Sequence, residues 1–344
     1  MSRRLIRFGL IGAGVAAETH ARELRRVEGA SLLSVYARRP RAAEEFARAF
    51  SIPRHYSDVS EFFAEPDIDA VIIASPNGTH MDYAVAAAQA GKHVVVEKPL
   101  EINEERAQSI VDACNNAGTG LFVIYQRRHA GAAHRAIDDL RAGKLGRVIL
   151  ANIVDNQFRP PHYYGDAAWR GTGKFEGGGC VITQSTHMID LAQFILGPIT
   201  SVSAHTRTAF HDIDTEDVAV AIFQFASGAF GTFSSSTAAY PGQRHLLSIS
   251  GTEGSIIING EYDQIVFRRS KHDDYRIDAP AGFSFGDTDN PREYPTDGQR
   301  LQLEKIVSAL LGNEAPISDK AEMSSVRVVD AIYRSAASGR LIVL

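Results

Sequence analysis

The chain has little cysteine, no long hydrophobic run and no excess of positive charge, and each absence excludes a class of protein. Only two of its 344 residues are cysteines, Cys114 and Cys180, which excludes a disulfide framework and a cysteine-rich zinc site. No window of the sequence is long and apolar enough to span a bilayer. The formal net charge is −5 and basic runs are short, so the chain lacks the electrostatic footprint of nucleic-acid binding.

The N-terminal residues admit two interpretations. Ser2-Arg3-Arg4 ahead of apolar residues resembles the start of a secretory signal. Arg7 interrupts that apolar stretch, and the same residues supply the first predicted strand, so cleavage would remove an element of the fold. The low cysteine content also fits a reducing compartment, and the sequence therefore predicts a cytoplasmic protein.

A glycine-rich turn follows the first predicted strand. The pattern Gly12-x-Gly14-x-x-Ala17 comes directly after a short apolar stretch. Gly12 allows the backbone to turn, Gly14 allows a pyrophosphate to approach the main chain, and Ala17 allows the next helix to pack closely. The free N–H groups at the start of that helix would face the phosphates. Similar turns occur in other proteins, but the position between a strand and a helix favours a dinucleotide site.

The end of the second predicted strand, Ser31 to Tyr36, favours NADP over NAD. In the dinucleotide fingerprint an acidic residue about 20 residues after the glycines accepts hydrogen bonds from the ribose hydroxyls. This chain has Ala37-Arg38-Arg39 there, without an acid. An arginine pair suits a 2′-phosphate through charge-assisted hydrogen bonds. The alternative is a solvated helix start.

The pattern of strands and helices changes after Gln126. Up to that residue strands alternate with helices, which predicts an α/β domain with a doubly wound parallel sheet at residues 1–126. From Thr200 to Arg269 the chain alternates as antiparallel strands do, with turn signals at residues 226–228 and at Asn259-Gly260. The remainder, 127–344, is therefore predicted to be an α+β domain. It also holds an irregular aromatic loop at 158–175 and two amphipathic helices near its end.

In open parallel sheets, ligands bind beyond the carboxyl ends of the strands. The sequence places five candidate positions at such ends: the Gly12–Gly14 turn, Ala37-Arg38, Pro76-Asn77, Glu97-Lys98 and Gln126. Lys98 is the group best suited to proton chemistry, because a partly desolvated lysine has a lowered pKa and can accept a hydroxyl proton. The alternative is an exposed lysine at a strand end.

A second candidate group lies on the helix that follows Gly177-Gly178-Gly179. His187 and Asp190 are three residues apart, so they can share a helix face, and Thr183 precedes them by one turn. A histidine there could hydrogen-bond a substrate hydroxyl or carbonyl. The alternative is a half-buried structural histidine. No further acids or histidines accompany the pair in sequence, so no metal site is expected.

The third candidate group is the aromatic loop from Asn156 to Tyr164, followed by Trp169-Arg170. Its aromatic rings with polar tips, together with Arg159 and Tyr163, suit a polyhydroxylated or cyclic substrate, an anionic one included. The alternative is a surface loop at a subunit contact.

Taken together, these motifs resemble the Gfo/Idh/MocA oxidoreductase family, which includes glucose-fructose oxidoreductase and inositol dehydrogenases. The similarity covers nearly the whole chain and rests on GLIGAGVAAETH, SPNGTH, AGKHVVVEKPL, GGGCVITQSTHMID, SGTEGS and AIYRSAASGR. It implies a Rossmann domain followed by a domain with a large, mostly antiparallel open sheet. Family members often form dimers or tetramers, so a homodimer or homotetramer through that sheet is expected.

The candidate groups from the sequence and the resemblance together give the expected site residues, of which the resemblance implies Lys98, His187 and Asp190 at the substrate and Gly12, Gly14, Asn77, His80 and Glu97 at the cofactor. Lys98 and His187 are the expected catalytic residues. The residues expected to bind substrate are Arg159, Tyr163, Trp169, Thr183 and Asp190. The residues expected to bind the cofactor are Gly12, Gly14, Val15, Ala16, Ala37, Arg38, Arg39, Ser75, Pro76, Asn77, His80, Glu97, Lys98, Gln126, Trp169 and Arg170. One departure concerns Thr183, where many sugar and inositol dehydrogenases of the family carry Asp, and it leaves Lys98 as the main base.

The expected function is hydride transfer between NADP, or NAD, and a secondary alcohol or ketone of a sugar, nucleotide sugar, cyclitol or dihydrodiol. Lys98 is expected to act as general acid and base, and His187 to orient the substrate oxygen. Two alternatives remain open at this point. One is a nucleotide-binding regulator without turnover, and the other is an NAD-dependent, redox-assisted glycosidase of the same fold.

Overall fold

The computed structural model of the protein describes residues 5–165, 169–260, 263–278, 295–312 and 319–344. The chain divides into two compact units, the first made of residues 1–126 with 296–323 and the second of residues 127–295 with 324–344. Residues 296–323, which the sequence-based division placed with 127–344, thus group with the first unit.

The first unit is built on a six-stranded sheet in which all neighbouring strands are parallel. The strand order is β3-β2-β1-β4-β5-β6. The strands are β1 (Ile6–Ile11), β2 (Ala30–Tyr36), β3 (Arg54–Tyr56), β4 (Ala70–Ile73), β5 (His93–Val96) and β6 (Leu121–Val123). The order reverses between β1 and β4, and ligands of such sheets bind beyond the carboxyl ends at that point. The predicted doubly wound parallel sheet is confirmed.

Helices connect these strands. They are α1 (Val15–Leu24), α2 (Pro40–Ala49), α3 (Val59–Ala64), α4 (His80–Gln89) and α5 (Glu104–Ala117). Asn103 caps α5, since its side chain accepts a hydrogen bond of 2.9 Å from the Arg106 N–H, and asparagine is among the residues preferred at this position. No prediction was made for β3 or α3, and for β3 the reason is that a three-residue strand with partly exposed polar side chains lacks an apolar run.

The second unit is built on an eight-stranded sheet in the order β13-β12-β11-β7-β10-β9-β8-β14. The strands are β7 (Val148–Asn156), β8 (Ile199–Arg207), β9 (Val218–Phe225), β10 (Phe230–Ser236), β11 (Leu246–Gly251), β12 (Gly254–Asn259), β13 (Gln264–Ser270) and β14 (Ile342–Val343). All neighbours are antiparallel except β7 and β10. The predicted mostly antiparallel sheet is confirmed, with β7 inserted between strands that come later in the chain.

Helices α6 (Gly131–Arg141) and α9 (Thr186–Leu196) pack against one face of this sheet. The one-turn helices α7 (His162–Gly165) and α8 (Gly173–Glu176) lie along the chain between β7 and α9. Met188 and Ile189 of α9 belong to the same buried core as Ile153, Phe223 and Leu247 of the sheet. The segment 158–175, expected to be irregular, contains the one-turn helices α7 and α8. A π-helical turn, Val181–Ser185, precedes α9 where a continuous helix was expected.

The other face of the second sheet is open in the single chain. Apolar side chains on three adjacent strands point to it, and they are exposed: Leu150 on β7, Val220 and Ile222 on β9, and Phe230 on β10. Successive side chains of a strand alternate between faces, and β9 alternates between buried and exposed along its length.

Two helices complete the chain, α10 (Asp297–Gly312) and α11 (Asp319–Ser338). Leu303, Ile306, Val307 and Leu310 form the apolar face of α10, and they enter the core of the first unit together with Ile6 and Leu24. The periodicity of α10 predicts its apolar face but does not show which core that face joins. Among the described residues, no helix has the length and hydropathy needed to cross a membrane.

Candidate functional site

The turn after β1 shows why glycines stand there. Gly12 has φ +115°, and a Cβ atom on it would lie 2.5 Å from the carbonyl oxygen of Ala74. Gly14 is the N-cap of α1 and has no side-chain cap, and a Cβ atom on it would meet nothing within 4 Å. Val15 and Ala16 are exposed beside it. The first unit therefore offers open space against the uncapped N-terminus of a ten-residue helix, which fits a pyrophosphate.

Arginines lie beyond the carboxyl end of β2. Ala37 is buried, whereas Arg38 and Arg39 are exposed. Tyr36 and Tyr83 pack edge to face, with ring centroids 5.9 Å apart. Burial and a hydrogen bond with Tyr36 raise the pKa of Tyr83 to about 12, and the positive charge of Arg38 acts on the same phenol. Two packed tyrosine rings and a nearby arginine thus lie at this end of the sheet.

His80 joins two of the strand-end loops from inside. Its ring is fully buried, and its Nδ1 and Nε2 atoms lie 2.9 Å and 3.0 Å from the carbonyl oxygens of Pro99 and Ser75. Burial lowers the pKa of His80, so the neutral ring donates only one of these hydrogen bonds. Direct contact between His80 and the cofactor does not agree with this placement. The ring instead supports the loops that carry Pro76, Asn77 and Lys98.

Glu97 is held by a histidine. Its Oε1 atom lies 2.7 Å from Nε2 of the fully buried His20. The amide of Gln299 on α10 lies 3.1 Å from that same nitrogen. Burial opposes ionisation of Glu97, but the hydrogen bond with His20 and the charge of Lys98 outweigh it and lower its pKa. Glu97 is thus an anion fixed at the end of β5, next to the half-buried Lys98.

Gln126 follows β6 at the edge of the first unit. Its side-chain oxygen Oε1 is buried and has no hydrogen-bond partner among the described residues. A buried acceptor without a donor is costly, so this atom suits a ligand that carries an N–H group. Sequence position predicted Gln126 as a cofactor residue, but nothing in the sequence pointed to His20 or Gln299.

In the second unit, the segment of three glycines lies against a buried carboxylate. A Cβ atom on Gly178 would collide with the Tyr333 hydroxyl, and one on Gly179 with the carbonyl oxygen of Glu216. The Glu216 carboxylate accepts hydrogen bonds from Gly179 N (2.8 Å), Val181 N (3.0 Å) and the Tyr333 hydroxyl (3.0 Å). Burial raises the pKa of Glu216 in spite of these donors. Glu216 and Tyr333, which sequence reasoning missed, therefore fix the start of the segment that leads to His187.

The π-helical turn and the first turn of α9 carry the predicted Thr183 and His187. The Thr183 hydroxyl donates to the carbonyl oxygen of Gly179 at 2.7 Å. Both residues are half-buried. They lie in consecutive helical segments, Thr183 in the π-helical turn and His187 in the first turn of α9, and their common role stays a prediction.

Asp190 does not join that group. Its carboxylate is buried and accepts hydrogen bonds from Arg128 at 2.6 Å and 2.9 Å and from the Ser325 hydroxyl at 2.9 Å. Burial raises the pKa of Asp190, and the ion pair with Arg128 opposes that rise. The expectation that Asp190 binds substrate is corrected, because both its oxygens face protein partners in the interior.

The aromatic loop after β7 brings Arg159, Tyr163 and Arg170 together. The guanidinium carbon of Arg170 lies 4.2 Å from the Tyr163 ring centroid, and that of Arg159 lies 5.6 Å from the same ring. Trp169 packs against Arg170 at 5.4 Å. Arg159 also reaches the π-helical turn, since its Nη2 donates to Gln184 Oε1 at 3.3 Å. The loop is therefore joined to the segment that carries Thr183.

A buried polar cluster, which sequence reasoning missed, lies under the π-helical turn. His245 Nε2 lies 3.3 Å from Asp155 Oδ1, and the Gln157 amide donates to the same oxygen at 2.8 Å. Burial and the charge of Arg127 lower the pKa of His245 to about 3, although Asp155 opposes this. Asp155 and Gln157 lie at the end of β7 and His245 directly precedes β11, so no common sequence pattern links them. No group of three or more metal-ligating side chains was found in the part of the chain that the structure describes.

Two family models match the chain. The model of an oxidoreductase family with an NAD-binding Rossmann fold matches residues 6–125. The model of the GFO/IDH/MocA C-terminal domain matches residues 133–257. Together they span both units.

Individual relatives agree with these models. The chain is 32% identical to a 1,5-anhydro-D-fructose reductase of Ensifer adhaerens over 254 residues, 73% of this chain and 75% of that protein. It is 29% identical to an inositol 2-dehydrogenase of Rhizobium meliloti over 98% of each chain. The crystal structure of the WlbA dehydrogenase from Bordetella pertussis, in complex with NADH and UDP-GlcNAcA, matches with a TM-score of 0.88 at 29% identity, covering 100% of this chain and 99% of that one.

Proposed function

The chain belongs to the GFO/IDH/MocA family of NAD-binding oxidoreductases, and from that premise we propose that it oxidises a secondary alcohol of a sugar or cyclitol, or reduces the corresponding ketone. The observation that carries the proposal is the turn after β1, where Gly14 leaves open space at the uncapped start of α1. The nicotinamide, when bound, supplies the hydride acceptor or donor.

Residues of the first unit suit the task of holding the cofactor. We assign the pyrophosphate to the backbone from Gly12 to Ala16, and the loop of Ser75, Pro76 and Asn77 to the wall beside it. Glu97 keeps its charge and its position through His20. Gln126 offers a buried acceptor to an N–H group of the ligand.

Lys98 is the proposed general acid and base. It takes the hydroxyl proton when the substrate is oxidised and returns it when the ketone is reduced. His187 is proposed to hydrogen-bond a substrate oxygen and so to orient the substrate. The Glu97–His20 pair fixes the residue before Lys98, and the Glu216–Tyr333 pair fixes the segment before His187, so both side chains rest on rigid supports.

We further propose that NADP is preferred over NAD. Arg38 and Arg39 are exposed beyond β2, and neither forms an ion pair with a carboxylate among the described residues. They are therefore available to a 2′-phosphate.

The open face of the second sheet supports the proposal of a homodimer or homotetramer. Its exposed side chains include Ile222 and Phe230, and contiguous apolar patches of this kind mark interaction surfaces. A second copy of the same face would cover them.

Titration with NADPH and NADH, followed by nicotinamide fluorescence, tests the cofactor assignment. We expect tighter binding of NADPH, and we expect the preference to disappear in Arg38→Ala. Arg41→Ala, another exposed arginine of the same region, is the matched control and should keep the preference. Equal or tighter binding of NADH by the unaltered protein would refute the NADP preference and leave the family assignment unchanged.

A further inference from the structure

Arg159 is a buried cation without an anion. Only 5% of it is exposed, and within the described part of the chain no carboxylate lies in ion-pair distance of it. Its guanidinium donates to three neutral oxygens: Gln157 Oε1 at 2.5 Å, Gln184 Oε1 at 3.3 Å and the Phe158 carbonyl at 3.2 Å. Its Nε is buried and has no hydrogen-bond partner among the described residues. A buried charge is costly unless it is paired.

A second guanidinium lies next to it. Arg170 and Arg159 both pack on the ring of Tyr163, at 4.2 Å and 5.6 Å. Arg170 donates from Nη1 to the Tyr163 carbonyl at 2.8 Å. Its Nε is also buried and lacks a partner in the described residues. Two like charges that share one aromatic ring would repel each other, and an anion between them would remove that repulsion.

The backbone that carries Arg159 is rigid. Gln157 N and Arg159 N donate to the carbonyl oxygens of Ser236 and Thr237, each at 2.8 Å. The Arg159 carbonyl lies 2.8 Å from His211 Nε2. The segment thus continues the pairing of β7 with β10. Because its backbone is fixed by these hydrogen bonds, the Arg159 side chain is preorganised for a ligand.

We propose that Arg159 and Arg170 form a subsite for an oxyanion of the substrate, either a carboxylate or a phosphate. Both groups accept the paired N–H donors of a guanidinium in a charge-assisted manner. The substrate would then be an acidic sugar or cyclitol derivative. This inference rests on the proposed function, because that function brings a polyhydroxylated substrate to the second unit.

A purely structural role makes a different prediction. If the two arginines only brace the loop through Gln157 and Tyr163, replacing them would lower stability and would weaken neutral and acidic ligands equally. An anion subsite weakens acidic ligands selectively.

The test uses the intrinsic fluorescence of Trp169, the only tryptophan of the chain, which lies against Arg170. The protein saturated with oxidised cofactor is titrated with D-glucuronate, D-glucose 6-phosphate and D-glucose. We expect at least one of the two anions to bind about 10-fold or more tightly than glucose. The anion that binds more tightly shows whether the subsite takes a carboxylate or a phosphate. In Arg159→Gln and Arg170→Gln we expect that anion to lose about 10-fold in affinity, and glucose to lose several-fold less.

Two controls complete the design. Arg141→Gln removes an exposed arginine of the same unit and should change neither affinity. Arg159→Lys keeps the charge and should retain part of the anion preference. Should Arg159→Gln fail to fold, the half-buried Arg170 carries the test by itself.

The proposal is overturned if neither anion binds more tightly than glucose, or if both glutamine variants leave anion affinity unchanged. Its failure is separable from failure of the proposed function. If the protein binds the anion but turns over no substrate, the subsite stands and the proposed enzymatic function is refuted. If the glutamine variants turn over neutral sugars as the unaltered protein does and anion affinity is unchanged, the proposed function stands and the subsite is refuted.

Discussion

Oε1 of Glu97 lies 2.7 Å from Nε2 of the buried His20, seventy-seven residues earlier in the chain. The contact joins α1, which starts at the glycine turn, to the end of β5, where Lys98 follows. It therefore links the expected phosphate site to the expected general base within one unit.

Replacing His20 by Ala should weaken both the fold and cofactor binding. Loss of a partner for a buried carboxylate costs about 1–3 kcal/mol, so we expect the free energy of unfolding to fall by that amount and the Kd for NADH to rise. Urea unfolding and NADH titration measure the two effects. His55→Ala, an exposed histidine of the same unit, should change neither, and an unaltered Kd in His20→Ala would show that the pair does not support the cofactor site.

The contribution of the Glu97–His20 pair to stability depends on pH, and the direction of the Glu97 pKa shift decides how. Burial opposes ionisation, yet the hydrogen bond with His20 leaves the folded-state pKa of Glu97 below its ordinary value. The carboxylate therefore adds stability at neutral pH, and this contribution is lost as the pH falls through the lowered pKa. The stability difference between the unaltered protein and Glu97→Gln should shrink in acid.

Lys98→Met should abolish turnover and spare cofactor binding. Removing a general acid and base typically lowers kcat by about 10²–10⁴-fold, whereas the methionine has a similar length and leaves the glycine turn untouched. Steady-state kinetics with the true substrate and NADH titration separate the two effects. Lys271→Met, at an exposed position of the second unit, serves as control. Near-normal kcat in Lys98→Met would show that another group moves the proton.

Asp190→Asn should affect stability more than substrate affinity. The change removes the charge of the carboxylate that pairs with Arg128, and breaking a buried ion pair typically costs about 3–5 kcal/mol. We expect a lower melting temperature and a KM within twofold for the protein that remains folded. Asp138→Asn, an exposed carboxylate of the same unit, should melt as the unaltered protein does. A raised KM at unchanged stability would restore the substrate role for Asp190.

Gly179→Ala should disrupt the segment that leads to His187. The added methyl group would collide with the carbonyl oxygen of Glu216, and overpacking of this kind costs about 1–3 kcal/mol or more. Chemical unfolding measures the loss, and turnover should fall with it. Gly173→Ala is the matched control, because a Cβ atom there meets nothing within 4 Å. Equal stability of both variants would contradict the close approach.

The second unit should lose measurable stability in mild acid because of the buried His245. Burial lowers its folded-state pKa to about 3, whereas an unfolded histidine titrates near 6.5. Between these values only the unfolded state binds the proton, so stability falls by about 1.4 kcal/mol per pH unit as the pH decreases. Urea unfolding at pH 7 and pH 5 should show this slope in the unaltered protein and a smaller one in His245→Asn. Identical slopes would mean that His245 is protonated in the folded state.

Local signals in the sequence predicted much of this structure. Gly12 and Asn103 each act on backbone within a few residues, so their roles are visible from neighbouring letters. Gln299 and Glu216 act on His20 and Gly179 across 279 and 37 residues, and no local pattern encodes such pairs. Asp190 shows a second limit of sequence-based prediction. Helical spacing gives the position of Asp190 around α9, but it does not show that Arg128 and Ser325 surround the carboxylate.

The placement of α10 has a consequence for synthesis of the chain. Leu303, Ile306, Val307 and Leu310 complete a core whose other members come from the first half of the sequence. The ribosome releases the Rossmann strands first, but α10 emerges only after strands β7 to β13 of the second sheet have been made. The unit that begins the chain is therefore completed late, and until then apolar surface that α10 covers stays exposed, which favours aggregation.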